Sequence, residues 1–165
     1  MNRQTAHLLS AAAAFFITIA AGTLLNGCGG VDCTINNTVT ASLNFYSLSG
    51  TAIAYTDTLT VTVVGAAGDS VILNKKTKAT GFTFPLGYTS QCDTFVLHYA
   101  GGWTDSLFLH HENHPYLISL DCGTAMFHTL TRAECTHTFL HEAVIANPEI
   151  NYDGQENIKL HFLVQ

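Results

Sequence analysis

The chain has 165 residues, enough for one domain once a leader is removed, and only 11% of them are charged. About 25% is usual for a soluble domain; here polarity comes from Thr, Ser and Asn, and a Thr- and Val-rich, Lys-poor composition suits strands better than helices. The formal net charge of −6, one unit more negative without a leader that holds Arg3, argues against a nucleic-acid surface and against electrostatic docking on anionic lipid.

Residues 1–27 read as a lipoprotein signal peptide. Arg3 and the amino terminus supply the positive end, residues 8–20 the apolar core, and Leu25-Asn26-Gly27-Cys28 the pattern that a bacterial lipoprotein signal peptidase reads. Cleavage would leave Cys28 as a lipidated N-terminus, with enough acyl chain for stable anchoring, which one chain alone does not give. The rival reading is a retained membrane span, since the apolar run approaches the ~20 residues a bilayer requires. A spanning helix, however, has no need of Leu-x-Gly-Cys at its end. Gly29 follows Cys28 where an inner-membrane retention signal would resemble Asp, and no acidic run follows. The expected location is therefore the outer membrane facing the periplasm, with residues 28–37 as a small, polar tether and 38–165 as the folded domain.

A strand over 39–46 opens that domain. Four related segments then follow: Asp57-Thr58-Leu59-Thr60-Val61-Thr62, Asp69-Ser70-Val71-Ile72-Leu73-Asn74, Asp93-Thr94-Phe95-Val96-Leu97-His98 and Asp105-Ser106-Leu107-Phe108-Leu109-His110, at offsets of 12, 24 and 12. Each is an acid, a small hydroxyl residue and a strand-like alternation, and Phe82-Thr83-Phe84-Pro85-Leu86 falls near the gap. Short strands at this spacing, punctuated by turns, predict an all-β sandwich or barrel. Asp followed by Ser or Thr suits a turn exit. Gly65 to Gly68 reads as a turn, residues 74–81 with Lys75, Lys76 and Lys78 as a solvated hairpin tip, and Gly101-Gly102 as another turn. Further strands are predicted over 116–120, 126–132, a long central one over 136–146 ended by Pro148, and a closing one over 158–164. No 3.6-residue period appears after the leader. The expected fold is an immunoglobulin-like or transthyretin-like sandwich of about nine strands.

Candidate chemistry concentrates at His110-His111-Glu112-Asn113-His114, three imidazoles and a carboxylate of the kind that zinc, copper or nickel take. Strand alternation sends His110 and His111 to opposite faces, so convergence would need a turn, which His114-Pro115 suggests. The plainer reading, and the expectation, is a polar hairpin tip without metal. His128, His137, His141 and His161 are scattered. Ser119 precedes Asp121 without a Gly-x-Ser-x-Gly elbow. Cys122 could pair with His128 as a nucleophile, but in an oxidising compartment a disulfide is the simpler use of a thiol. Glu112, Asp121, Glu134 and Glu142 show no glycosidase spacing, and Asn151-Tyr152-Asp153-Gly154 is too poor in acids for an EF-hand loop.

Three stretches carry a resemblance: Asp32-Cys33-Thr34-Ile35-Asn36-Asn37-Thr38-Val39; Ser119-Leu120-Asp121-Cys122-Gly123 running on to Met126-Phe127-His128-Thr129; and Asn147-Pro148-Glu149-Ile150-Asn151-Tyr152-Asp153 leading to Glu156-Asn157-Ile158-Lys159-Leu160. With the Asp57, Asp69 and Asp105 strand starts, the chain resembles an uncharacterised family of Bacteroides-type cell-envelope lipoproteins. That family implies location and fold but no reaction. In such organisms the Asp-Ser/Thr-apolar pattern also resembles a periplasmic O-glycosylation acceptor, which Thr58, Ser70 and Ser106 fit as well as they fit turn exits. With Cys28 lipidated, Cys33, Cys92, Cys122 and Cys135 allow three pairings. Cys122–Cys135 is disfavoured because the strand between them alone spans roughly 20 Å. Cys33 and Cys122 both lie in family-like stretches, and the resemblance favours Cys33–Cys122, leaving Cys92–Cys135 as the remainder. The expected function is a lipid-anchored, non-enzymatic binding or structural module for an envelope protein or glycan, with no cofactor; the alternative is a metal-dependent or cysteine-based envelope enzyme.

Overall fold

Ten strands form in this computed structural model, which describes residues 38–163. Cys28, Cys33 and the rest of the leader and tether lie outside the described residues, and with them the lipidation and the Cys33 half of the expected Cys33–Cys122 bridge. The strands are β1 Ala41–Ser47, β2 Leu59–Val63, β3 Ser70–Lys76, β4 Gly81–Phe84, β5 Cys92–Tyr99, β6 Thr104–Ser119, β7 Gly123–Cys135, β8 Leu140–Ile145, β9 Glu149–Ile150 and β10 Ile158–Phe162. Among the described residues there is no α-helix, only a single 3₁₀ turn at Ala100–Gly102. The all-β expectation holds.

Two sheets result, one in the order β4-β1-β10-β8 and the other β3-β2-β5-β6-β7-β9. The four Asp-Ser/Thr segments become β2, β3, β5 and β6, which are four neighbours in the larger sheet. The doubled offset in their rhythm is the excursion of the chain to the other sheet for β4. One shared core lies between the sheets. Leu43, Phe45, Phe84, Ile158, Leu160 and Phe162 come from one side, and Leu59, Val61, Phe95, Leu97, Leu107 and Leu109 from the other. Phe84 and Phe95 meet across the layers at 4.4 Å between ring centroids. Each such side chain stabilises by about 1.5–3 kcal/mol when fully buried.

Several expected elements differ. The segment 136–146 is not a central strand. Only Leu140–Ile145 is extended, and it forms the edge strand β8. The reason is Asp105, buried at 1% exposure. Its Oδ1 accepts the Thr136 hydroxyl at 2.7 Å and the Thr138 amide at 2.8 Å, and its Oδ2 accepts the Phe139 amide at 2.8 Å. Amides turned onto a carboxylate are withdrawn from any ladder, so the chain bends there and passes to the other sheet. Of the segment 74–81, Lys75 and Lys76 belong to β3, and residues 77–80 cross to the other sheet, so it is not a hairpin tip. β10 does not close its sheet but lies inside it, parallel to β1 and antiparallel to β8.

His114-Pro115 is not a turn. β6 runs straight through it to Ser119, and the reversal comes at Leu120–Cys122. Pro115 is tolerated for a local reason. The His111 amide donates to Gln91 O on the β5 side, so two-residue alternation turns the Pro115 nitrogen the same way. β5 ends opposite His110, and no ladder partner is lost there.

Candidate functional site

The longest hairpin outgrows its sheet. β6 and β7 pair from Leu107–Cys135 out to Ser119–Gly123. β5 flanks β6 only as far as His110, and β9 flanks β7 only at His128 and Thr129. Residues 114–127 therefore form a two-stranded arm with no strand on either edge among the described residues. A free hairpin of this kind is marginal by itself, and aromatic packing supports it. Tyr116 stacks on Phe127 at 4.5 Å with an interplanar angle of 8°. Tyr152, from the segment after β9, meets Phe127 edge-on at 5.3 Å. Burial raises the Tyr152 phenol, and the nearby Tyr88 and Tyr116 phenols raise it further. Towards the tip the arm exposes Leu117 at 58% and Leu120 at 94%.

At the base of the arm lies a buried polar cluster. Asn113 Nδ2 donates to the carbonyls of Gly87, Tyr88 and Ser90 at 3.3, 3.0 and 2.8 Å. Three acceptors on one side fix the orientation of the amide. Its Oδ1 therefore faces His111 Nδ1 at 2.8 Å and His128 Nδ1 at 2.7 Å, and both Nδ1 atoms carry the proton. The two imidazoles sit edge-to-face at 5.2 Å, and neither Nε2 has a hydrogen-bond partner. His111 Nε2 lies 3.3 Å from Asp93 Oδ2, close but misdirected. Asp93 in turn accepts the Gly87 amide at 2.6 Å and the Ser90 hydroxyl at 2.7 Å. Tyr88 stacks over His128 at 6.4 Å. Burial, and then the neighbouring His111, lower the His128 pKa to about 4.

The three histidines singled out from the sequence do not converge. His111 is buried, while His114 is out on the arm, 3.9 Å from Glu112. His110 is on the opposite face, where Arg132 Nη2 donates to its Nε2 at 3.2 Å, with Glu134 at 3.4 Å and Cys92 Sγ at 3.9 Å. Among the described residues no group of three or more His, Cys, Asp or Glu is placed to hold a metal ion. Ser119 Oγ accepts the Cys122 amide in the turn. Cys122 at the tip and His128 at the base lie six residues apart along the chain, roughly 20 Å at ~3.3 Å per residue in a strand, so they form no dyad.

The Cys92–Cys135 bridge does not form, and both thiols are free. Cys92 is opposite His110 on β6 and Cys135 opposite Leu107, three residues apart along β6 and on its two different sides. Cys92 follows His110 to the outer face while Cys135 packs against the core. That exceeds the ~7 Å a disulfide can span. Burial raises the Cys92 thiol, with Asp93 adding to it; burial, then Asp105 and Glu142, push Cys135 up to about 11. Neither environment activates a thiolate. Of the residues that fit an acceptor pattern, Ser70 is exposed at the start of β3. Thr58 is half-buried beside Asp57, whose Oδ1 accepts its amide at 2.7 Å. Ser106 is half-buried mid-sheet, opposite Val96.

Asn113, Asp93 and the His111–His128 pair escaped the sequence reading. A signal existed for part of it: Asp105, Leu107, Leu109, His111 and Asn113 share one parity on β6, so polar residues stand at inward positions. No curated protein and no solved structure matches the chain. A family model does match residues 58–162, from the start of β2 to the end of β10, and the chain belongs to that family, described as a family of unknown function, DUF6452.

Proposed function

We propose that the protein is a lipid-anchored envelope lipoprotein, held at the outer membrane through Cys28, that works as a non-enzymatic docking module for another envelope protein. The observation that carries this reading is the arm: a hairpin without flanking strands that stacks Tyr116 on Phe127, takes Tyr152 edge-on from the segment after β9, and presents Leu117 and Leu120 to solvent. Rigid tyrosines with adjoining aliphatic groups are what protein contacts are built from, at little entropic cost. Beyond the exposed Tyr116 ring, Leu117 and Leu120 add an aliphatic surface that apolar protein side chains match better than a hydroxyl-rich glycan. The unpaired edges of β6 and β7 beyond His111 and His128 also leave backbone groups for strand addition. The raised thiols and the divergent histidines support a binding role over the enzymatic alternative. Cys33–Cys122 remains the proposed bridge.

A photo-crosslinker at Leu117 or Leu120 of the membrane-anchored protein tests the docking role. The expected result is one discrete protein adduct, absent when the same probe replaces Val71 on β3 and at least tenfold weaker in Tyr116→Ala. Equal labelling at Val71, or retention of protein-free glycan by the arm, overturns it. Replacing Cys28 with Ala tests the anchor: the variant should lose its acylated N-terminal peptide, and normal acyl mass would refute the assignment.

A further inference from the structure

We propose that the His111–Asn113–His128 cluster is a proton-operated latch that holds the segment 85–91 against the base of the arm at neutral pH and releases it in acid.

Asn113 is the only side chain that ties the carbonyls of Gly87, Tyr88 and Ser90 together among the described bonds, and its orientation depends on two Nδ1–H donors meeting its Oδ1. With Nδ1 protonated on both rings, an added proton has only Nε2 to go to. His128 Nε2 is fully buried and has no acceptor. A cation there would be unpaired, 5.2 Å from a second imidazole, and unpaired buried charge is not sustained. The groups facing it give little relief. From β5, Asp93 favours the charge but is already engaged by Gly87, Ser90 and the neighbouring His111. From β6, His111 and His114 oppose it. From the 85–91 segment comes the neutral Tyr88 ring, and on β9 Glu149 is directed to the Thr129 hydroxyl. The accessible way to solvate the proton is to lift Tyr88 off His128, which breaks the contacts of the segment to Asn113.

The consequences extend beyond the histidines. The released segment carries Tyr88, one of the phenols in the field of Tyr152. It also forms a wall of a groove of about 420 Å³ lined by Val63, Val64, Pro85 and Leu86. If the arm is the docking surface, as proposed above, acid would loosen its base and weaken docking. The latch itself stands or falls without any partner.

The test is therefore made on the partner-free mature protein. Histidine-ring NMR and amide hydrogen exchange, corrected for intrinsic rates, are followed from pH 7.5 to 3.5. We expect both rings as Nδ1–H tautomers at pH 7.5. By pH 3.5 the Gly87 amide should lose at least tenfold in protection, while Phe45 and Leu97 in the core keep theirs. Gain of the His128 Nε2 proton should coincide with that loss, and His128→Gln, whose amide can still donate to Asn113, should abolish it. Protection of Gly87 that falls only together with Phe45 and Leu97 would mean simple acid unfolding and would overturn the latch. So would an unchanged loss in His128→Gln, or, if that variant does not fold, ring protonation in the wild type that does not coincide with exposure of Gly87. Failure of the docking experiment with these results intact would count against the docking role alone.

Discussion

Replacing Asp105 should damage the fold more than any exposed acid would, and in a graded way. Its carboxylate is buried, and it accepts the Thr136 hydroxyl and the amides of Thr138 and Phe139, with the Leu140 amide at 3.3 Å. Asp105→Ala removes every acceptor and leaves the amides of the bend without partners. Each buried donor left unsatisfied costs about 1–3 kcal/mol, so a loss of about 4 kcal/mol is expected, partial solvation of the bend included. Asp105→Asn keeps one acceptor oxygen but turns an NH₂ group towards a donor, and should cost about 2 kcal/mol. Urea unfolding at pH 7 reads both, through the shift in midpoint at constant slope. The bend is also the hinge between sheets, so β8 should lose exchange protection before the rest. A cost under 0.5 kcal/mol for Asp105→Ala, or a β8 as protected as in the wild type, would refute the claim that this carboxylate diverts residues 136–139 from the sheet.

The pH dependence of stability follows from His128. Its folded pKa of about 4 lies below the ordinary 6.5, so the unfolded chain binds the proton more readily. Stability is full above about pH 6.5 and declines towards pH 4, by roughly 3 kcal/mol in all; urea titrations at pH 7.5 and 4.5 should show it, and His128→Gln should flatten it. Two thiols are expected to label in the mature protein: Cys92 in the native state and Cys135 only after unfolding. Label on native Cys135 at the rate of Cys92 would contradict its core placement. Phe84→Ala, which removes the ring packed on Phe95, should cost about 3–5 kcal/mol by the same urea assay. Leu120→Ser at the exposed tip should change stability by less than about 0.5 kcal/mol while reducing the arm's crosslinks.

Which parts of this molecule a sequence can reveal depends on whether parity survives along a strand. It survives in β2, β5 and β6, so the Asp-Ser/Thr rhythm found four adjacent strands, and the inward positions of Phe95, Leu97, Leu107 and Leu109 were legible. It fails in β7. Cys135 and Ala133 pack towards the core, and continued alternation would turn His128 outward. The register instead jumps from Arg132, opposite His110, to Leu130, opposite His111, leaving Thr131 as the extra residue of a bulge. That one residue turns Leu130 and His128 inward and sets His128 opposite Asn113. Nothing in the local composition around Thr131 announces it, because a bulge is fixed by the partner strand. The same step keeps the histidine run from displaying the buried cluster. His110, His111 and His114 were read as neighbours in sequence, whereas the ring that completes the cluster comes from a strand seventeen residues further on, through a register the sequence does not display. The long apolar reading of 136–146 failed for a related reason: the acid that bends it is some thirty residues upstream. In both places a polar side chain at an inward position decides the local structure. The inward acids and amides of β5 and β6, Asp93, Asp105 and Asn113, are therefore the residues through which this chain's sheets, bend and arm are set relative to their immediate neighbours.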